Sequence, residues 1–219
     1  MNFFDVPYIN GNSIFIVPAN ASYNSEILDD NINTLKKLYQ FIEVGIAGKS
    51  VLNTDIPYIK IGTGSKNVFY SASIHANEWI TSIVLMKFLA DYCYCYKNNL
   101  TIFDYPASEL YNNCTLYIMP MVNPDGVNLV TGKISPSSSA YISAQNIASM
   151  YPSVPFTSGW KANIRGVDLK TFQPFCKALH CLIYTALLVF SFSFIISSIL
   201  INSSKFSVIE FNFEKLKYI

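Results

Sequence analysis

Hydrophobic positions in the first part of the chain recur at helical spacing and then in short runs. Behind Asn24, a residue suited to cap a helix, apolar side chains repeat every three or four positions and predict an amphipathic helix over residues 25–39. Residues 41–46 and 56–61 have the character of strands. Residues 62–67 predict a hairpin loop; a phosphate cradle is the alternative, but its glycine spacing fits neither a P-loop nor a dinucleotide fingerprint.

A strand, a helix and a second strand follow in the order of a crossover unit. Residues 68–74 are nearly all apolar or small, as in a strand buried on both faces, and residues 79–97 have a helical pattern. Residues 115–119 predict another buried strand, and residues 131–162 a long surface excursion with one short helix before a return toward a strand at 164–169. This order predicts an α/β fold with a mixed, largely parallel central sheet and helices on both faces.

The character of the chain changes after Leu169. We predict an N-terminal extension over residues 1–22, a globular domain over residues 23–169 and an apolar tail over residues 170–219. Residues 178–201 contain no Asp, Glu, Lys or Arg and are long enough to predict a transmembrane segment. Lysines flank both ends of this segment, so its orientation stays open.

Composition argues against a nucleic-acid partner and against a disulfide framework. The net charge of +1, with no basic run, argues against nucleic acid as a partner. The five cysteines have no paired spacing and do not predict a disulfide framework; core or surface thiols are favoured over metal ligands. No N-terminal signal peptide is recognised, which leaves localisation unknown.

Candidate chemistry lies where the predicted strand 68–74 ends. His75 and Glu78 are three residues apart there, and an imidazole and a carboxylate at this spacing can close on one zinc ion. Asn123 follows the next predicted strand, so both groups are expected at the same edge of the sheet. A surface histidine followed by a helix-capping glutamate is the alternative for this pair.

Three motifs carry a family resemblance, in the family's own order. Residues 75–81 (His-Ala-Asn-Glu-Trp-Ile-Thr), 121–126 (Met-Val-Asn-Pro-Asp-Gly) and 160–169 (Trp-Lys-Ala-Asn-Ile-Arg-Gly-Val-Asp-Leu) closely resemble the zinc carboxypeptidase family. Within that family they resemble the bacterial branch that cuts γ-D-glutamyl–diaminopimelate bonds in peptidoglycan peptides. The resemblance implies a carboxypeptidase-like fold, with residues 23–169 as the N-terminal part of the catalytic domain.

The resemblance also implies an activity. His75 and Glu78 would be the first two zinc ligands, and in the family a metal-bound water attacks the scissile carbonyl with a later glutamate as general base. The expected partner is a peptide, such as a peptidoglycan stem peptide. Such a protein would act at the cell wall, outside the cell, or on recycled peptides in the cytoplasm.

Four further positions take roles from the resemblance. Asp168 would support the metal site from behind by hydrogen bonding to a ligand imidazole. Lys161 lies near the family's basic residue that stabilises the oxyanion, although a solvated loop lysine is an equal alternative. Asn123 and Arg165 are the predicted substrate-binding residues, and Asn123 is also expected to shape the turn near the site.

The sequence departs from the family after Leu169, and this leaves two other hypotheses open. Lys170 and Thr171 stand where the family has an Asn, often followed by Arg, that binds the substrate carboxylate. No second histidine ligand or general-base glutamate is recognised; His180, Glu210 and Glu214 lie in unmatched contexts. One hypothesis is a catalytically inactive remnant of a truncated or frameshifted gene; the other is a single-pass membrane protein with a binding domain.

Overall fold

The computed structural model describes residues 22–169. The predicted tail, its transmembrane segment 178–201 and nearly all of the predicted extension 1–22 lie outside the described residues. Within residues 22–169, no helix is long and apolar enough to cross a membrane. The described helices are α1 (Ser25–Leu38), α2 (Ile80–Lys97), α3 (Ala107–Asn113), α4 (Pro124–Val130) and α5 (Ser139–Ala148), with one 3-10 turn at Ala76–Glu78. The described strands are β1 (Glu43–Lys49), β2 (Asp55–Ile61), β3 (Lys66–Ser71), β4 (Thr101–Ile102), β5 (Tyr105–Pro106) and β6 (Cys114–Met119).

Helix α1 begins where its capping signal predicts. The Oδ1 atom of Asn24 accepts hydrogen bonds from the backbone N–H groups of Glu26 and Ile27, at 3.0 and 3.1 Å. These bonds satisfy two of the amide groups that the first turn of a helix leaves without partners. One stripe of the helix is buried, through Leu28, Ile32 and Leu35. The helix predicted over residues 25–39 is confirmed.

The central sheet is mixed. Its strand order is β1-β2-β6-β3, with antiparallel β1/β2 and β2/β6 pairs and a parallel β3/β6 pair. The mixed α/β class is therefore confirmed, and among the described residues one of the three pairings of this four-stranded sheet is parallel.

The prediction of a hairpin loop over residues 62–67 is wrong, because β6 lies between β2 and β3. The loop passes over the end of α3 and the start of β6 instead. The N–H of Thr63 donates to the carbonyl of Tyr111 at 2.8 Å, and the N–H of Gly64 to the carbonyl of Cys114 at 3.4 Å. A Cβ atom on Gly64 would come within 1.9 Å of the Asn113 backbone, so the glycine serves a close backbone approach.

The two faces of the sheet bury different residues. Leu116 and Ile118 of β6 belong to the main core, which α1, α2 and α3 cover. Met119 faces the opposite side and belongs to a smaller cluster that contains no residue of a described helix. Strand β3 was predicted to be buried on both faces, but its residues are exposed or half-buried. It is the last strand in the order, so fewer side chains enclose it than enclose β6.

Residues 131–162 follow the surface, as predicted, and their short helix is α5. Its Ala144 packs in a separate cluster with Ala76, Leu129 and Trp160. This cluster places the segment beside the 3-10 turn that follows β3.

Removing the α1 cap tests this account of where the helix begins. We expect Asn24→Ala to lower the free energy of unfolding by about 1 kcal/mol, because two amide groups lose their acceptor. Urea unfolding followed by circular dichroism measures the change. Asn146→Ala, at an exposed position in α5, is the control and should leave stability unchanged or slightly raised. Equal stability of both variants would contradict the capping role.

Candidate metal centre

The carboxyl ends of β3 and β6 stay together beyond the strands themselves. The N–H of Ala72 donates to the carbonyl of Met119 at 3.0 Å. The N–H groups of Val122 and Asn123 then donate to the carbonyls of Ala72 and Ser73, at 3.0 and 3.1 Å. The two loops therefore leave the sheet side by side, and the predicted convergence of the His75 and Asn123 segments is confirmed.

His75 and Glu78 form a close donor pair at this edge. The Nδ1 atom of His75 lies 2.9 Å from Oε1 of Glu78. The 3-10 turn brings them together, since the N–H of Glu78 donates to the carbonyl of His75 at 3.2 Å. The His75 side chain is 13% exposed and the Glu78 side chain 40%, so a shielded ring lies beside a carboxylate that solvent reaches.

Asp168 faces the other nitrogen of the same ring. Its Oδ1 atom lies 3.6 Å from Nε2 of His75, which is an ion-pair distance rather than a hydrogen bond. The two carboxylates therefore lie on opposite sides of the imidazole. This arrangement gives Nδ1 to Glu78 and Nε2 to Asp168.

The prediction of a strand over residues 164–169 is wrong, because Asn163 closes a turn there. Its Oδ1 atom accepts the backbone N–H groups of Arg165 and Val167 at 2.9 and 3.0 Å. Gly166 adopts a left-handed φ of 78° within the turn. Sequence reasoning missed Asn163, although an asparagine three residues before a glycine is a turn signal. The turn carries Asp168 to the histidine ring.

Asn123 joins three segments of the chain. It is 2% exposed, and its Nδ2 atom donates to the carbonyls of Ile74 and Ala162 at 3.2 and 3.0 Å. Its Oδ1 atom accepts the N–H of Gly126 at 3.1 Å and so caps α4. The expectation that Asn123 shapes this region is confirmed, whereas its substrate-binding role stays a prediction.

The side chains of Lys161 and Arg165 are exposed. The backbone of Lys161 is fixed, because its carbonyl accepts the N–H of Ala76 at 3.0 Å. Its predicted oxyanion role and the substrate-binding role of Arg165 stay predictions.

A hydroxyl cluster that the sequence did not indicate supports the junction between β3 and α2. Ser73 has a left-handed φ of 49°, and its N–H donates to Oγ1 of Thr81 at 2.9 Å. The Thr81 hydroxyl donates in turn to the carbonyl of Glu78 at 2.7 Å. Oγ of Ser73 lies 2.6 Å from Oγ of Ser82, which donates to the carbonyl of Pro120. The cluster ties the turn to α2 and to the end of β6.

Asp125 is a second buried group that sequence reasoning missed. Its carboxylate accepts hydrogen bonds from the hydroxyls of Ser50 and Thr54 and from the N–H of Leu52, at 2.7 to 3.0 Å. These contacts join the β1–β2 turn to the start of α4. The neighbouring Pro and Gly gave a turn signal, but the partners lie more than seventy residues away.

The donor pair fits zinc in its chemistry. An imidazole nitrogen and a carboxylate oxygen are both common zinc ligands, and two donors bound tetrahedrally at about 2.0–2.2 Å to one ion lie about 3.3–3.6 Å apart. The observed separation of Nδ1 and Oε1 is 2.9 Å, so a small side-chain movement would place both donors on one ion. Among residues 22–169 there is no group of three or more His, Cys, Asp or Glu side chains that could hold a metal.

Comparison with known families decides the ancestry of this site. A family profile described as zinc carboxypeptidase matches residues 29–170. The chain belongs to the zinc carboxypeptidase family. The resemblance carried by the three motifs is therefore confirmed, and zinc is the metal that this family implies.

Individual relatives agree with the family match. The chain is 44% identical over 159 residues to gamma-D-glutamyl-L-diamino acid endopeptidase 1 of Lysinibacillus sphaericus, covering 73% of this chain and 39% of that protein. It is 34% identical over 154 residues to YqgT, an uncharacterized protein of Bacillus subtilis, covering 69% of this chain and 40% of the relative. The chain thus spans about two fifths of the length of these relatives. The solved structure of thrombin activatable fibrinolysis inhibitor matches with a TM-score of 0.45 and 22% identity, over 51% of this chain and 28% of that one.

An isosteric substitution distinguishes a structural role of Asn123 from a role in substrate binding alone. Asn123→Asp keeps the acceptor for Gly126 but turns a carboxylate oxygen toward the carbonyls of Ile74 and Ala162. We expect the free energy of unfolding to fall by about 3 kcal/mol. Urea unfolding measures it, with Asn112→Asp at an exposed position as control, expected within about 0.5 kcal/mol of the parent. Unchanged stability of Asn123→Asp would favour a role in substrate binding alone.

Proposed function

We propose that this chain carries the first part of the zinc site of a metallopeptidase, with Nδ1 of His75 and Oε1 of Glu78 as ligands. The observation that supports this most directly is the 2.9 Å approach of the two donor atoms on a family-matched motif. In the proposal Asp168 orients the ring through Nε2, and an outer carboxylate of this kind raises the basicity of a ligand histidine.

The proposed chemistry is hydrolysis of a peptide bond. Zinc, when bound, polarises a carbonyl and makes water a stronger nucleophile near neutral pH. The residues of this chain would hold and shield the site: His75 presents one nitrogen, Asn123 keeps the neighbouring segments in place, and Lys161 offers a positive charge at the rim. Further ligands and a general base would come from outside residues 22–169, since that part of the chain holds no cluster of three candidate ligands.

The proposed substrate is a peptidoglycan stem peptide with a γ-D-glutamyl–diaminopimelate bond. Support comes from the name of the Lysinibacillus relative, a gamma-D-glutamyl-L-diamino acid endopeptidase, and from 44% identity to it. A second candidate is a zinc-binding protein without hydrolytic activity. It is favoured by the two-donor site within the described residues, because a catalytic zinc ordinarily has three protein ligands.

Zinc binding by the full chain tests the ligand assignment. We expect His75→Gln to weaken zinc binding by more than the roughly 10–100-fold that loss of an outer partner costs, because a ligand itself is removed. Equilibrium dialysis with metal analysis measures the affinity. Glu109→Gln, at an exposed position in α3, is the control and should retain the parent affinity. Equal zinc binding by His75→Gln and the parent would remove His75 from the site.

Peptide cleavage separates the two candidate functions. We expect the zinc-loaded chain to cut a stem peptide at its γ-D-glutamyl–diaminopimelate bond and to leave an α-L-glutamyl analogue intact, as mass spectrometry would show. Glu78→Gln should abolish cleavage, because an amide is a poor zinc ligand, and Glu109→Gln, exposed in α3, should retain it. Tight zinc binding at His75 without cleavage of either peptide would instead establish the non-hydrolytic candidate.

A further inference from the structure

We propose that Thr81 is a positioning residue for the His75–Glu78 donor pair, its hydroxyl fixing the turn that carries both donors. This inference rests on the proposed function, since positioning matters most when both donors bind one metal. The hydroxyl bonds two backbone groups, so its effect passes through the backbone.

The hydroxyl of Thr81 holds both ends of the relevant segment. It accepts the N–H of Ser73 at 2.9 Å and donates to the carbonyl of Glu78 at 2.7 Å. Ser73 lies two residues before His75, and Glu78 is the other donor. One oxygen atom therefore links the entry and the exit of a six-residue turn.

The turn needs this support because its entry is strained. Ser73 has a left-handed φ of 49°, a conformation that costs a residue with a side chain about 1–3 kcal/mol and persists only where its surroundings hold it. Ser73 is 2% exposed, so its N–H has no access to bulk water if Thr81 loses its hydroxyl. A buried amide without an acceptor is costly, so we expect the turn to rearrange until this N–H finds another partner.

Thr131 offers a comparison, because its hydroxyl donates to a backbone carbonyl in a similar way elsewhere in the structure. Its hydroxyl donates to the carbonyl of Val127 at 2.7 Å, much as Thr81 donates to Glu78. Thr131 lies at the end of α4 and is partly buried, as Thr81 is. Thr131→Val thus removes a similar backbone bond away from the donor pair and serves as the matched control.

The test compares Thr81→Val, Thr81→Ser and Thr131→Val in the full chain, with zinc as the probe. We expect Thr81→Val to weaken zinc binding about tenfold, in line with other outer partners of metal ligands. Thr81→Ser should restore the parent affinity to within about twofold, because it keeps the hydroxyl. Thr131→Val should bind zinc like the parent. Equal affinity of Thr81→Val and the parent would overturn the inference.

Amide hydrogen exchange of the zinc-free chain decides the inference separately from the proposed function. Thr81→Val should exchange about tenfold faster than the parent within residues 73–79, and Thr131→Val should not. If the parent binds no zinc, the proposed function fails, while faster exchange confined to this segment still supports the positioning role and unchanged exchange overturns it. If Thr81→Val folds poorly, the pair Thr81→Ser and Thr81→Ala, which differs by the hydroxyl alone, decides the same point.

Discussion

The site depends on the parallel pairing of β3 with β6. Parallel neighbours end at the same edge of a sheet, so whatever follows them in sequence leaves in the same direction. Here the pairing outlasts the strands, because the N–H groups of Val122 and Asn123 bind the carbonyls of Ala72 and Ser73. Those bonds help to fix the relation between two loops that lie about fifty residues apart in the chain.

A third segment is attached to this edge through backbone atoms. The carbonyl of Lys161 accepts the N–H of Ala76, and the carbonyl of Ala162 accepts Nδ2 of Asn123. Every amino acid supplies such a carbonyl, so the attachment does not depend on the side chains at these two positions. This leaves the Lys161 side chain exposed at the rim while the same segment brings Asp168 to the ring of His75.

Some features that depend on residues close together in the chain were predicted correctly, whereas the wrong hairpin prediction concerns a strand that lies far along the chain. The closeness of His75 and Glu78 follows from a spacing of three residues at a strand–helix junction, and the cap at Asn24 is equally local. The hairpin at residues 62–67 was wrong because β6, about fifty residues later, takes the place beside β2. The local hydrophobic pattern does not show which distant strand pairs with β2.

The supporting hydrogen bonds were missed for a related reason. Thr81 looks like an ordinary helix residue in sequence and Asp125 like an ordinary turn residue, and their importance comes from partners that only the fold brings near. The role of Asn163 could have been predicted, because its partners Arg165 and Val167 are close in sequence and Gly166 marks the turn. Family resemblance supplied the roles of His75 and Glu78, but not the contacts that hold them.

The left-handed backbone of Ser73 also affects how the motif tolerates evolutionary change. In a regular strand successive side chains alternate between faces, but here Ala72 packs in the main core and the next side chain, Ser73, also turns toward α2. Ile74 then joins the cluster on the other face. This single break in the alternation determines the direction in which the His75 side chain leaves the end of β3. Between Ser71 and His75, exchange of side chains is consequently far less disruptive than insertion or deletion of one residue, which would rotate the imidazole away from Glu78 and Asp168.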